Sequence, residues 1–362
     1  VTQLLGGYLA DRFGGKLVLA VGVIWWSLFT ILTPPAAAMG ITMLIVTRVL
    51  MGMGEGVTFP SIYALYSKWV PTAERSRSMA FSNSGIPIGQ VAALVVAPYI
   101  AIAFGWEWIF YIFGAVGLIW YVFWQRTVAH APKHHPRLSA SEADEINAGL
   151  PPASQPGSKP ASLLDFGRSR AVWAIVVAHF CNNWSLYVLL SWLPTFVNKG
   201  LGVDFANSGL VSMLPHLVSF VFLNVAGNVA DRMVRSGMAI TRVRKTCQTI
   251  GFGGLVLALS VVGEVDSAWL AITIMCVGNA VGAFVTGGFA VNHMDVAPNH
   301  AGKLMGITNT FATIPGIIGV TVSGFILEAT GSWALVFQVA AGVTLFGLIF
   351  YLLFASGEKQ FD

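Results

Sequence analysis

The sequence predicts an all-α membrane protein built as two six-helix bundles, and three observations carry that prediction. Of the 362 residues, 56% are hydrophobic and only 10% charged, against roughly a quarter charged in an ordinary soluble domain. The apolar residues gather into runs long enough to cross a bilayer, which a helix does in ~17–25 residues. The basic residues fall almost wholly on one side once loops are assigned alternately to the two faces, as the positive-inside rule requires.

Taken in order, the long runs are 17–33, 40–67, 78–106, 108–125, 171–198, 205–230, 246–263, 267–292, 304–327 and 329–357. An eleventh stretch, 1–10, is too short to span and begins without Met. It reads as the tail of a helix cut mid-span, in a fragment of a longer chain. Pro87 lies among Asn83, Ser84 and Gln90, while Asn309, Thr310 and Thr313 precede Pro315-Gly316. A proline frees a carbonyl and kinks its helix, which is tolerated at membrane depth only where the freed group is re-satisfied or lines a cavity. Gly52, Gly54 and Gly56 read as sites of close helix packing, and Trp25, Trp26, Trp106, Trp108 and Trp333 as interfacial anchors.

Residues 129–169 form the one long polar segment, with Pro-Lys-His-His-Pro, Ser-Glu-Ala-Asp-Glu and Pro151-Pro152. Such a composition cannot bury a core and reads as a linker with one surface helix near 139–150. It divides the chain into an N-terminal bundle at 1–128 and a C-terminal bundle at 170–362. Eighteen of the twenty Lys and Arg fall on the linker's side, Lys199 alone falls opposite, and Arg48 lies within the membrane. The linker side is therefore cytoplasmic. These short juxtamembrane clusters exclude a nucleic-acid stripe. His130, His134 and His135 read as solvated linker residues. Cys181, Cys247 and Cys276 stand singly in or at the ends of apolar runs and read as small hydrophobes, with no metal or redox spacing.

The halves share a weak repeat. Gly7-Tyr-Leu-Ala-Asp11-Arg12 and Gly227-Asn-Val-Ala-Asp231-Arg232 carry the same Gly-x-x-x-Asp-Arg pattern. In the second half this loop follows the second helix after the linker, so by symmetry about one and a half helices precede residue 1 and the intact protein has twelve spans. Paired repeats of this sort belong to secondary transporters, whose site lies at the midplane between halves. Asp11 and Asp231 are expected at equivalent cytoplasmic positions.

Arg48 and Glu55 are the formally charged residues expected deep inside apolar sequence. Seven residues, or two turns, put both on one helix face. A charge at bilayer depth is expensive unless it faces a cavity or partner, and is a functional-site hypothesis by default. A guanidinium offers a planar donor fork to carboxylate or phosphate. A carboxyl held between burial and a nearby cation can switch state. A structural role, in which the two neutralise each other or a partner on a preceding helix, stands beside the functional one.

Gly7-Tyr-Leu-Ala-Asp11-Arg12-Phe-Gly14-Gly-Lys16 resembles the cytoplasmic signature loop of the major facilitator superfamily. Two further stretches resemble its anion:cation symporter family. One is Arg48-Val-Leu-Met-Gly-Met-Gly54-Glu55-Gly56-Val-Thr-Phe-Pro60-Ser61 with Pro71-Thr-Ala-Glu74-Arg75-Ser-Arg77. The other is Asn292-His293-Met-Asp295-Val-Ala-Pro298 running into Ala301-Gly302-Lys-Leu-Met-Gly306-Ile-Thr-Asn309 and on to Pro315-Gly316. The resemblance implies the major facilitator fold, with Arg48 contacting or organising a substrate anion and Glu55 linked to cation coupling. It implies gating roles for Asp11, Arg12, Asp231 and Arg232. Vesicular glutamate transporters of this family carry a second arginine early in the seventh helix, where this chain has Phe180-Cys181-Asn182-Asn183-Trp184. A dicarboxylate amino acid is accordingly a less natural substrate. Asn182, Asn183, Tyr187 and Asn309 are candidate substrate contacts, with packing the alternative. His179 and His216 read as hydrogen-bonded core residues.

The expected function is secondary active transport of inorganic phosphate or a small organic anion, coupled to H+ or Na+, by alternating access. An uncoupled anion channel on the same fold is the alternative, and Glu55 discriminates because a channel needs no titratable acid in its pore. No nucleophile, base and orienting group recur at suggestive spacing, so no enzyme is expected. No cofactor or metal is implied. The expected partners are the anion, the co-transported ion and a lipid bilayer, for a monomer in a plasma or organelle membrane.

Overall fold

The structure, a computed structural model, describes residues 2–152, 161–203 and 205–361. It is all helix in character, in the order α1 (Thr2–Phe13), α2 (Gly15–Ile31), α3 (Thr33–Ala38), α4 (Ile41–Glu55), α5 (Thr58–Trp69), α6 (Arg75–Phe104) and α7 (Glu107–Thr127). Two short helices follow, α8 (Ala140–Gly149) and α9 (Leu163–Arg168). The remainder is α10 (Arg170–Thr195), α11 (Phe205–Arg235), α12 (Ile240–Val262), α13 (Ala268–Gly282), α14 (Phe289–Val296), α15 (Ala301–Thr313), α16 (Pro315–Thr330) and α17 (Trp333–Phe354). Among the described residues nine helical segments are long and apolar enough to cross a membrane, with Gly15–Ile31 a shorter apolar helix. The protein is thus embedded in a membrane by many passes.

Several crossings are broken where the sequence supplies a reason. Gly56 and Val57 separate α4 from α5, and the Thr58 hydroxyl donates to the Glu55 carbonyl at 2.8 Å. Pro315 lacks an amide hydrogen, so α15 stops at Thr313 and α16 restarts at the proline. A 3-10 turn at Ala283–Thr286 separates α13 from α14. Pro87 and Pro98, by contrast, sit inside α6 without ending it. In the polar connection, Ser139 starts α8 and Ser162 starts α9 through capping boxes, with Glu142 and Asp165 as the return partners. Hydrogen bonds from those serines hold both carboxyls below their usual range. Residues 153–160, including Gly157 and Lys159, lie outside the described residues.

Packing runs within each half and across them. α2 lies on α4, α5 and α7, while α10 lies on α14, α15, α16 and α17, and α12 on α13 and α17. The largest apolar core fills the second set, around Ile175, Phe289, Leu304 and Tyr351 and around Val188, Phe196 and Phe337. The main contacts joining elements before the polar segment to elements after it are α1 with α15, α5 with α15 and α6 with α11, and α14 also touches α5 and α6. A shared apolar cluster of Tyr63 and Met79 with Val291, Met294, Ala301 and Met305 seals this junction.

Candidate functional site

α4 presents two different faces. Thr47, Met51 and Gly54, at i, i+4 and i+7, are buried, and this face lies on α2. Trp25 Nε1 donates to the Leu50 carbonyl at 2.7 Å, and a Cβ on Gly54 would stand 2.4 Å from the Trp25 ring. Rotated by one residue, Arg48, Gly52 and Glu55 form the neighbouring stripe at the same spacing, and all three are exposed. A Cβ on Gly52 would meet nothing within 4 Å. Two charges of opposite sign therefore flank a bare glycine beside open space. Among the described residues Arg48 Nη1 donates to Met51 Sδ, at 3.3 Å, and no ion pair joins Arg48 to Glu55.

The other candidate contacts divide. Asn183 is buried and donates to the Ala312 carbonyl at 2.9 Å, and the Asn182 amide donates to Asn183 Oδ1 at 3.3 Å. Tyr187 is half-buried with its ring over Gly316, 3.3 Å from where a Cβ would stand. Asn309 is buried on α15. Asn183 and Tyr187 thus join α10 to the α15–α16 break. His179 donates or accepts at 3.2 Å with the Thr308 hydroxyl, as a hydrogen-bonded core residue does.

The repeated Gly-x-x-x-Asp pattern performs the same construction twice. Asp11, at the end of α1, accepts from the amides of Gly302 and Lys303 at 3.1 and 2.8 Å, at the N-terminus of α15. Asp231, near the end of α11, accepts from the amides of Ser76 and Arg77 at 3.0 and 2.9 Å, at the N-terminus of α6. Each carboxylate satisfies orphan donors of the facing helix and sits at the positive end of its dipole. One turn earlier, Gly7 brings α1 against the Gly302 carbonyl, where a Cβ would stand at 2.4 Å. Gly227 does the same against Ala80 and the Ser76 carbonyl, at 2.5 and 2.7 Å. Burial pushes the Asp11 carboxyl up to about 6 against the lowering effect of the two amides. The arginines of the pattern are not drawn in: Arg12 is exposed and donates to the Tyr8 hydroxyl at 2.9 Å, and Arg232 is exposed.

Beside these caps lies a cluster that the sequence reading missed. Three further charges, which the sequence places just outside the apolar runs, are buried together. Asp295, at the end of α14, accepts from Arg75 Nη1 at 3.1 Å and from Arg244 Nε at 2.7 Å, and all three side chains are buried. Arg75 also donates to the Met294 carbonyl, and Arg244 Nη1 to Ser76 Oγ and the Gly287 carbonyl. The clamp ties α6 to α12 and α14. Arg75 and Asp295 each sit inside a quoted motif, but 220 residues separate them, and nothing local pairs them. Arg244 belongs to a basic cluster that reads as ordinary juxtamembrane charge.

Comparison with known proteins shows the family and the fold. The family model described as Major Facilitator Superfamily matches residues 1–320. The chloroplastic ascorbate transporter of Arabidopsis thaliana is 42% identical over 362 residues, covering 100% of this chain and 66% of that protein. The chloroplastic sodium-dependent phosphate transport protein 1 of the same plant is 40% identical over 370 residues, covering 100% of this chain and 70% of its own length. This chain therefore spans slightly less than two thirds of the first of these. Among solved structures, the proton:xylose symporter XylE superposes with a TM-score of 0.77 over 99% of this chain and 84% of its own, at 17% identity, a likeness of fold alone.

Proposed function

Because the chain belongs to the Major Facilitator Superfamily, and within it matches the anion:cation symporters, we propose that it moves a small anion across its membrane by alternating access, coupled to H+ or Na+. The substrate class is inorganic phosphate or a small organic carboxylate. The observation that carries this reading is the Arg48–Gly52–Glu55 stripe, an exposed guanidinium and an exposed carboxyl on either side of open space. The relatives, named for ascorbate and for sodium-dependent phosphate transport, support an anionic substrate.

In this reading 1–128 and 170–362 are the two moving bundles and 129–169 is the cytoplasmic linker. The structure described is then the state closed on the linker side, held by Asp11 and Asp231 on the facing helix ends and by the Arg75–Asp295–Arg244 clamp. Arg48 receives the anion. Asn182, Asn183, Tyr187 and Asn309 shape the far wall from α10 and α15, with Asn183 and Tyr187 acting through the α15–α16 break. Glu55, as the last residue of α4, stands where the helix is interrupted, and discontinuous helices commonly build the midplane sites of transporters. Its carboxyl changes state once per cycle. Opening the linker side requires release of both caps.

The test is Glu55→Gln in proteoliposomes, which removes proton exchange while keeping shape and most hydrogen bonding. Net gradient-driven uptake is expected to be lost while anion counterflow and thermal stability persist. Gradient-driven accumulation at the wild-type level would remove Glu55 from coupling. Unaltered conductive flux would support a channel, and joint loss of folding and binding would make the residue structural.

A further inference from the structure

Behind Tyr63, on the face of α14 away from the clamp, three buried side chains form a chain of hydrogen bonds that the transport reading does not use. His179 on α10 has Nδ1 3.2 Å from Thr308 Oγ1, and His293 on α14 has Nε2 2.8 Å from the same oxygen. His293 and Thr308 are fully buried and His179 is 7% exposed. His293 Nδ1 lies 3.0 Å from the Ala290 carbonyl. A carbonyl only accepts, so that nitrogen carries hydrogen, and the Nε2 of a neutral His293 is an acceptor. The Thr308 hydroxyl must then donate to it, and its oxygen accepts from His179 Nδ1–H. Among the described residues nothing bonds to His179 Nε2.

This arrangement can hand on a proton without breaking its geometry. A proton arriving at His179 Nε2 releases the one on Nδ1 to Thr308 Oγ1, whose own proton passes to His293 Nε2. Each bond then runs the other way, from His293 Nε2–H to Thr308 and from Thr308 to His179 Nδ1. One proton has entered, one charge has appeared on His293, and the bonds to Thr308 and to the Ala290 carbonyl persist, while the new His179 Nε2–H has no acceptor among the described residues. A second acceptor is also within reach, since Thr308 Oγ1 lies 3.3 Å from the Met305 carbonyl.

The groups around the charged end decide when it can form. Tyr63 on α5 stacks edge-on against His293, centroids 5.1 Å apart, and donates to the same Ala290 carbonyl at 2.7 Å. Further along α14, Asp295 is taken by Arg75 from α6 and Arg244 from α12. α17 contributes Tyr351, bonded to Asn292, and α15 contributes the polar contacts of Thr308 and Met305. With Asp295 shared by two arginines, an imidazolium in the sealed junction has no counter-ion of its own among the described residues, and an unpaired buried charge is strongly unfavourable. Parting Tyr63 from α14 would admit water and remove that penalty.

We propose that His179, Thr308 and His293 form a second proton-binding site, separate from Glu55, that is vacant while the linker side is closed and takes up a proton as that side opens. Proton binding and opening are then reciprocally linked. The proposal rests on the alternating-access reading for its two states, but not on any substrate. Its test uses the full-length protein in lipid nanodiscs, with spin labels at Arg126→Cys and Arg242→Cys on the linker side, and distances measured from about pH 8 to about pH 5, the range over which histidine titrates. Acidification should move the wild-type distribution toward the longer distance. Thr308→Val and Thr308→Ala, which remove the hydroxyl, should shift the midpoint down by about one pH unit or more, a tenfold loss of proton affinity. Thr308→Ser, which keeps the hydroxyl, should keep it. A pH-independent distribution in the wild type, or the same midpoint in Thr308→Ala as in the wild type, would overturn the site. Neither result would bear on anion uptake, and absent uptake with an intact hydroxyl-dependent shift would instead overturn the transport reading alone.

Discussion

Gly52 shows how one residue can set the candidate site. It faces open space between Arg48 and Glu55, so its lack of a side chain keeps the stripe bare rather than relieving a clash. Gly52→Ala is expected to stabilise α4 by about 0.5–1 kcal/mol and to leave uptake intact. Gly52→Phe should preserve folding in a thermal melt yet abolish anion binding by filling the gap. Arg48→Lys keeps the charge but loses the planar fork, and charge-assisted hydrogen bonds contribute about 1.5–3 kcal/mol each. Its anion affinity should fall tenfold or more in a binding titration. Wild-type affinity in that variant would make Arg48 a structural residue.

At the scale of elements, the Gly-x-x-x-Asp pattern is a device for pressing one helix flank against the end of another. Gly7 and Gly227 allow the approach, and Asp11 and Asp231 one turn later cap the helix that has been approached. Gly7→Val and Gly227→Val place a branched side chain where a facing backbone carbonyl already stands, so each should weaken the closed linker side. Crosslinking between cysteines placed on α1 and α15, or on α6 and α11, should drop in the matching variant. Asp11 gives the α1 contact a pH dependence. Its carboxyl sits at about 6 in the structure against 3.8 unperturbed. The folded form then binds more protons than the unfolded form between those values, and its contribution to stability is full below 3.8 and lost as pH rises through about 6. Asp11→Asn should flatten the slope of thermal stability over that window, and an unchanged slope would show that another group produces it.

For the whole molecule, the decisive contact is Asp295 between two arginines from different parts of the chain. Removing a carboxylate from such a cluster leaves buried guanidinium groups without compensation, which costs about 3–5 kcal/mol. Asp295→Ala should therefore lower the melting temperature sharply and reduce the amount of folded protein recovered. Arg75→Met in the same background should restore part of it by removing one uncompensated charge. A melt unaffected by Asp295→Ala would show that water reaches the clamp. With the caps at Asp11 and Asp231, this cluster surrounds an apolar seal of Tyr63, Met79, Met294 and Met305 with polar contacts.

The sequence by itself determined the class of protein, because hydrophobic run length and the one-sided placement of Lys and Arg are properties of composition along the chain. It also marked Arg48 and Glu55, since a charge stands out against an apolar run without any knowledge of its neighbours, and the helical repeat alone places seven-residue spacing on one face. The surface helix near 139–150 was legible for a similar local reason: Ser139 and Glu142 write its capping box in four residues. What the tertiary structure decided depends on distance across the chain. Arg75, Arg244 and Asp295 look like ordinary charges at helix ends until folding brings them together and removes them from water. His179 reads as a core histidine and His293 and Thr308 only as members of a motif stretch, until three helices converge on one oxygen. Pro87 and Pro315 are alike in sequence, yet α6 continues through the first while the second divides α15 from α16. Packing around each helix, which no local pattern records, settles that difference.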